Sequence, residues 1–129
     1  MEPLSLKVTM NKLYIRDNGE APGKGEIYYS LMADSEVIEA LGEGQARRVG
    51  DGETFILGNS AQVAKSPGEA LTVLGNVSER DSGFKGADDS VQFKHVYTAA
   101  ENWGIGSHTA QLSDGKHLDV TVYYSIAKA

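Results

Sequence analysis

The stretch His117 to Ile126, H-L-D-V-T-V-Y-Y-S-I, alternates apolar and polar side chains almost without a break. Leu118, Val120, Val122, Tyr124 and Ile126 fall at one parity, and His117, Asp119, Thr121 and Tyr123 at the other. Side-chain direction along a strand has period two, so this is a strand with one buried face. Just upstream, Ser113-Asp114-Gly115-Lys116 carries a hairpin signal, and Thr109 to Leu112 is the short strand that would enter it.

The same reading extends to the rest of the chain. Leu4, Leu6, Val8 and Met10 alternate with Ser5, Lys7, Thr9 and Asn11, after which the apolar parity shifts to Leu13 and Ile15. That shift predicts either a bulge near Asn11-Lys12 or a crossing to a second sheet. Asp17 to Gly25 is a long turn rich in Gly, Pro and Asn, and Ile27, Tyr29, Leu31 and Ala33 make the next strand. Ser35 to Leu41 reads equally as a Ser-capped helix or as a strand. Short strands follow at Arg47–Val49 and Thr54–Leu57, with an edge strand at Ala61–Lys65 ended by Pro67-Gly68. Leu71, Val73 and Val77 lead into an acidic loop, and Val91 and Phe93 resume the alternation after it. Thr98 to Gly106 is a longer connection with room for one helical turn. About seven to nine strands with almost no helical period predict an all-β protein, an antiparallel two-sheet β-sandwich. A chain of 129 residues without linker or repeat is expected to be a single domain, 1–129.

Composition excludes several functions. With no cysteine there are no disulfides, thiolate metal sites or thiol catalysis. A net charge of −6, with no basic cluster larger than Arg47-Arg48, argues against nucleic acid. No apolar run approaches the roughly 20 residues of a membrane span, and no secretory leader is visible. The sequence names no compartment.

Catalytic patterns are approached and missed. Gly19 to Lys24 is one residue short of a phosphate loop, with Gly25 where Ser or Thr is required. His95, His108 and His117 lack zinc-ligand spacing. Ser107, His108 and Asp114 compose a triad on paper, but adjacent strand residues face opposite ways. Trp103 with Tyr97 would suit a sugar-stacking site, although a lone Trp is more often a core plug. The expectation is a protein that is not an enzyme.

Acidic residues concentrate in two loops, Asp17 through Glu26 and Glu79 through Asp89. Each reads as a solvated surface loop or, if the two meet at one end of a sandwich, as half of an oxygen cage. Calcium takes six to eight oxygen ligands at roughly 2.3–2.6 Å, and gathered carboxylates repel unless a cation joins them.

The segments L-Y-I-R-D-N-G-E-A-P-G-K-G-E-I-Y-Y and L-T-V-L-G-N-V-S-E-R-D-S-G-F-K-G-A-D-D resemble the second conserved domain of protein kinase C and the synaptotagmins, the C-two or CalB-type calcium/lipid-binding domain. That resemblance implies a calcium/lipid-binding-domain-like sandwich, with metal ligands at Asp17, Glu26, Glu79, Asp81, Asp88 and Asp89. It also implies calcium-dependent contact with a phospholipid surface or a protein partner, Phe84 entering the lipid interface beside Lys85. The alternative for Phe84 is packing back over the sandwich end. Glu26 and Glu79 stand where the family has Asp, no Pro follows Glu26, and no Gly follows Asp89. The competing expectation is a metal-free structural or interaction sandwich, a subunit of a larger assembly or a homo-oligomer.

Overall fold

A computed structural model describes residues 3–18, 25–80, 89–115 and 118–129. The strands are β1 (Leu4–Asn18), β2 (Gly25–Ala33), β3 (Glu36–Leu41), β4 (Arg47–Val49), β5 (Thr54–Ile56), β6 (Ser60–Lys65), β7 (Ala70–Glu79), β8 (Asp89–Thr98), β9 (Gly106–Ser113) and β10 (Leu118–Lys128). Two five-stranded antiparallel sheets result. One runs β5-β1-β10-β9 with β6 also on β1, and the other runs β3-β2-β7-β8 with β4 also on β2. The sandwich expectation holds, with ten strands among the described residues where about seven to nine were expected.

The ambiguous segment after Ala33 is strand β3. Asp34 takes a left-handed conformation (φ 53°), which turns the chain back so that Ala33 pairs with Glu36. Asp34 is held in that conformation. Its N–H donates to Thr72 O (2.7 Å), its Oδ1 accepts from Thr72 N–H (3.0 Å), and Lys65 Nζ lies 2.6 Å from its Oδ2.

The parity shift in β1 is a bulge and not a sheet crossing. Pairing with β10 slips between Met10 and Lys12, and β1 stays in the same sheet. On its other side β1 changes partner at that point, from β6 (Leu4–Thr9) to β5 (Lys12–Tyr14). A second slip separates Ile15 from Asp17.

The core fills the space between the inner faces. Leu6, Val8, Met10, Leu13 and Ile15 of β1 meet Ile27 and Leu31 of β2, Leu71, Val73 and Val77 of β7, and the apolar parity of β10. Each such side chain contributes roughly 1.5–3 kcal/mol on burial. Gly75 of β7 also faces inward, because a Cβ there would stand 2.6 Å from both Leu31 Cδ2 and Phe93 Cε1. The missing side chain admits the Phe93 ring, which stacks on Tyr124 at 5.8 Å.

The connection Ala99–Gly104 is a short 3₁₀ segment. Glu101 Oε1 accepts from Thr98 N–H (3.1 Å) at its start. Asn102, Trp103 and Gly104 are all left-handed, at φ 52°, 56° and 67°. That turn drives Trp103 under the connection, where it is 6 % exposed, so Trp103 is a core plug and not a sugar platform.

Candidate functional site

Each strand end at the β1–β2 and β7–β8 connections follows from local pairing. Between Ile15 and Asp17 the second bulge of β1 moves the inward register by one residue. Asp17 therefore pairs opposite Asp119 and is exposed, whereas Asn18 pairs opposite Leu118 and is fully buried. The Asn18 backbone N–H donates to Asp51 Oδ1 (3.0 Å), and its Nδ2 donates to Val49 O (2.8 Å). Sequence reading missed both Asn18 and Asp51. The available signal was an Asn at a strand end just before a Gly-rich turn, a position where side-chain hydrogen bonding to backbone is common.

Gly25 opens β2 directly against this residue. A Cβ at Gly25 would lie 2.8 Å from Asn18 O and 3.2 Å from Glu79 Cγ. The ends of β1, β2 and β7 thus meet at one edge of the sandwich. Glu79 continues the inward parity of Leu71, Val73 and Val77 and is 1 % exposed. Asp89 is its antiparallel partner, so both carboxylates sit on the inward side of the sheet. Directly opposed like charges are destabilising unless something joins them.

Glu26 lies on the other side of the sheet. It is one residue before Ile27, the register partner of Glu79. Its Oε1 accepts from Arg80 Nη2 (2.7 Å), Arg80 N–H donates to Glu26 O (2.7 Å), and Arg80 Nη1 donates to Glu43 O (3.0 Å). Of the expected cage ligands, Glu79 and Asp89 are brought together. Asp17 is turned out by the bulge, and Glu26 is turned out by strand alternation. Asp81, Asp88, Phe84 and Lys85 lie outside the described residues. Among the described residues no group of three His, Asp or Glu side chains is placed to hold a metal ion.

Of the three histidines, His117 lies outside the described residues. His95 and His108 flank the Tyr97 ring at 4.4 and 5.1 Å, and a ring nitrogen of His108 hydrogen-bonds Gly104 O. Asp114 follows the far end of β9 from His108, which separates the paper triad. Tyr97 and Tyr124 share a buried hydroxyl–hydroxyl bond of 2.6 Å. Burial, then that bond, raises the Tyr124 phenol well above the usual tyrosine range.

No family model and no curated protein matches the sequence. Solved structures do. A C2 domain of plant Extended Synaptotagmin 1 superposes over 100 % of this chain and 98 % of its own, at 8 % identity and a TM-score of 0.51. The fold is that of a C2 domain. A structure of CC2D1B matches 97 % of this chain and 55 % of its own, at 13 % identity and a TM-score of 0.55. Human GIVD cytosolic phospholipase A2 matches 99 % of this chain at 11 % identity and a TM-score of 0.52, and the match spans 17 % of the phospholipase. At these identities the likeness is one of architecture. In C2 terms, the sandwich end holding Asn18, Gly25, Glu79 and Asp89 is the end from which the two acidic loops leave.

Proposed function

We propose that the protein is a non-catalytic binding module that engages a phospholipid surface or a protein partner through this loop end, with calcium as the bridging ion. The observation that carries the reading is the cross-strand pair Glu79–Asp89 on the inward side of the sheet, at the start and finish of the acidic loop. Two carboxylates do not complete a calcium shell, so Asp81 and Asp88 would supply the further oxygens. The proposed set leaves out Asp17, which is exposed, and Glu26, which Arg80 holds. When bound, calcium supplies positive charge that attracts lipid phosphate. The described strand ends fix where the loop leaves and returns, and on this reading Phe84 and Lys85 of that loop would make the contact.

The test is a pair of thermal melts, one in millimolar calcium and one in chelator, with co-sedimentation on phosphatidylserine/phosphatidylcholine vesicles. At a hundredfold excess over Kd, a ligand specific to the folded state adds about 2.7 kcal/mol, or roughly 8 °C for a domain of this size. Equal midpoints, with no calcium-dependent vesicle binding, would refute the calcium step.

Arg80 favours a second reading, a metal-free interaction sandwich. Its guanidinium sits one residue beyond Glu79 and already pairs with Glu26 across the strand end. On this reading the protein self-associates or joins a larger assembly, and light scattering shows oligomers whose size ignores chelator.

A further inference from the structure

The outer face of the β3-β2-β7-β8 sheet carries Glu26 and Arg80 at one end, and beyond them a stretch lined mainly by neutral side chains. Two adjoining cavities of about 360 and 460 Å³ lie along it and share Ser30 and Asn76, so they form one trough across the strands. Combined, they fall in the size range of small-ligand sites. Among the described residues, charged side chains line only its ends, Lys94 in one cavity and Glu43 in the other. The outer face of the opposite sheet carries Lys7, Lys12, Arg16 and Asp119 in a chain that is 23 % charged.

The lining combines two chemistries. Half-buried Met32 and Leu74 give an apolar floor to one cavity, and Tyr28 lines the other. Ser30, Asn76, Ser78, Ser90 and Gln92 supply hydroxyls and amides. Some of these are already fixed. Ser78 Oγ donates to Asn76 Oδ1 (3.1 Å) and shares a 2.7 Å bond with Ser90 Oγ, which orients the Asn76 amide with its NH₂ as the donating end. Pre-set polar groups lower the ordering cost of binding.

We infer that this trough binds a neutral, polyhydroxylated chain, an oligosaccharide. A sugar ring presents an apolar C–H face and a rim of hydroxyls that both donate and accept. Serine hydroxyls and carboxamides answer both roles, whereas a carboxylate or ammonium answers one. An anionic headgroup needs several cations, and the described lining has one, at its end. A protein partner needs roughly 800 Å² of contact a side, for which a concave, hydroxyl-rich strip is poorly suited. The site is separate from the acidic loop end and does not rest on the calcium reading.

The experiment titrates the whole chain, isotope-labelled, with neutral hexasaccharides of the β-glucan, α-glucan, xylan, mannan, galactan and chitin types, following backbone amides by NMR. At least one should shift amides of β2, β7 and β8 selectively, with and without chelator. Asn76→Ala combined with Gln92→Ala, both exposed, should weaken that binding at least tenfold and lower the melting temperature by no more than about 5 °C, because Ser78 Oγ keeps its bond to Ser90 when the one to Asn76 is lost. The inference is overturned if no member of the panel moves those amides, or if binding persists unchanged in the double variant. It is also overturned if phosphatidylserine vesicles or a peptide, and no sugar, occupy the trough.

Discussion

Gly104→Ala is expected to be among the most costly single-methyl additions in the protein. Two separate effects act there. Gly104 has φ 67°, and an L-residue in the left-handed region costs about 1–2 kcal/mol. The added Cβ would also lie 2.6 Å from Tyr97 Cε1 and 2.7 Å from Tyr97 Cγ. Tyr97 cannot swing away cheaply, because its ring stacks on His95 and meets His108 at a tilt, and its hydroxyl is bonded to Tyr124. Overpacking of this kind costs about 1–3 kcal/mol. The total is about 2–5 kcal/mol, or a fall in midpoint of roughly 6–20 °C. Three other glycines separate the contributions. Gly115 has φ 76° with nothing within 4 Å, so its Ala variant reports backbone strain alone. Gly75 has the close contacts without positive φ, so its variant reports overpacking alone. Gly68 has neither, and its variant should fall within about 0.5 kcal/mol of the parent. Urea and thermal unfolding of all four give the comparison. If Gly104→Ala costs no more than Gly115→Ala, the Tyr97 ring is free to yield, and the idea of a locked aromatic stack is wrong.

Further outcomes can be checked with the same assays. The Tyr124 phenol is raised in the folded state, so its contribution is complete below the unfolded value near 10 and is lost as pH rises above it. Tyr124→Phe should therefore be less stable at pH 7 by about 1 kcal/mol, from the lost bond to Tyr97, but should lose stability more slowly between about pH 9 and 11. Arg80→Ala should cost at most about 1 kcal/mol, since its pair with Glu26 is partly exposed, and chemical denaturation should show no larger effect. Leu31→Ala, in the closed centre of the core, should cost about 2–5 kcal/mol with an unchanged denaturant slope. Gly25→Ala should shift amide resonances of Asn18 and Glu79 together, because its new methyl would press on both.

Most of the fold could be read from the sequence because period two is a local property. The alternation in Leu118–Ile126 and Leu4–Met10 needs no knowledge of partners, and the slip at Asn11 left a visible parity change. Strand β3 was not decided, since Val37, Ile38 and Leu41 satisfy either period. What settles it is Asp34, whose left-handed turn depends on Thr72 and Lys65, distant in sequence. The site was less legible for the same reason. Asp17 and Glu26 were grouped with Glu79 by proximity to loops, yet which face each one takes is set by a bulge at Arg16 and by pairing of Ile27 with Glu79. The trough was invisible, because Ser30, Asn76 and Gln92 become neighbours only through register.

The pairing of β1 with β10 has a mechanical consequence. Leu6 lies opposite Lys128 and Asn18 opposite Leu118, so the two outermost strands of the sequence are antiparallel neighbours with their outer ends side by side. Tension applied through the two ends would open that ladder like a zipper, loading its hydrogen bonds one pair at a time, instead of shearing all of them together. A module built this way yields at low force when its ends are pulled apart. It would resist far better if pulled from the acidic loop end against the opposite end of the sandwich.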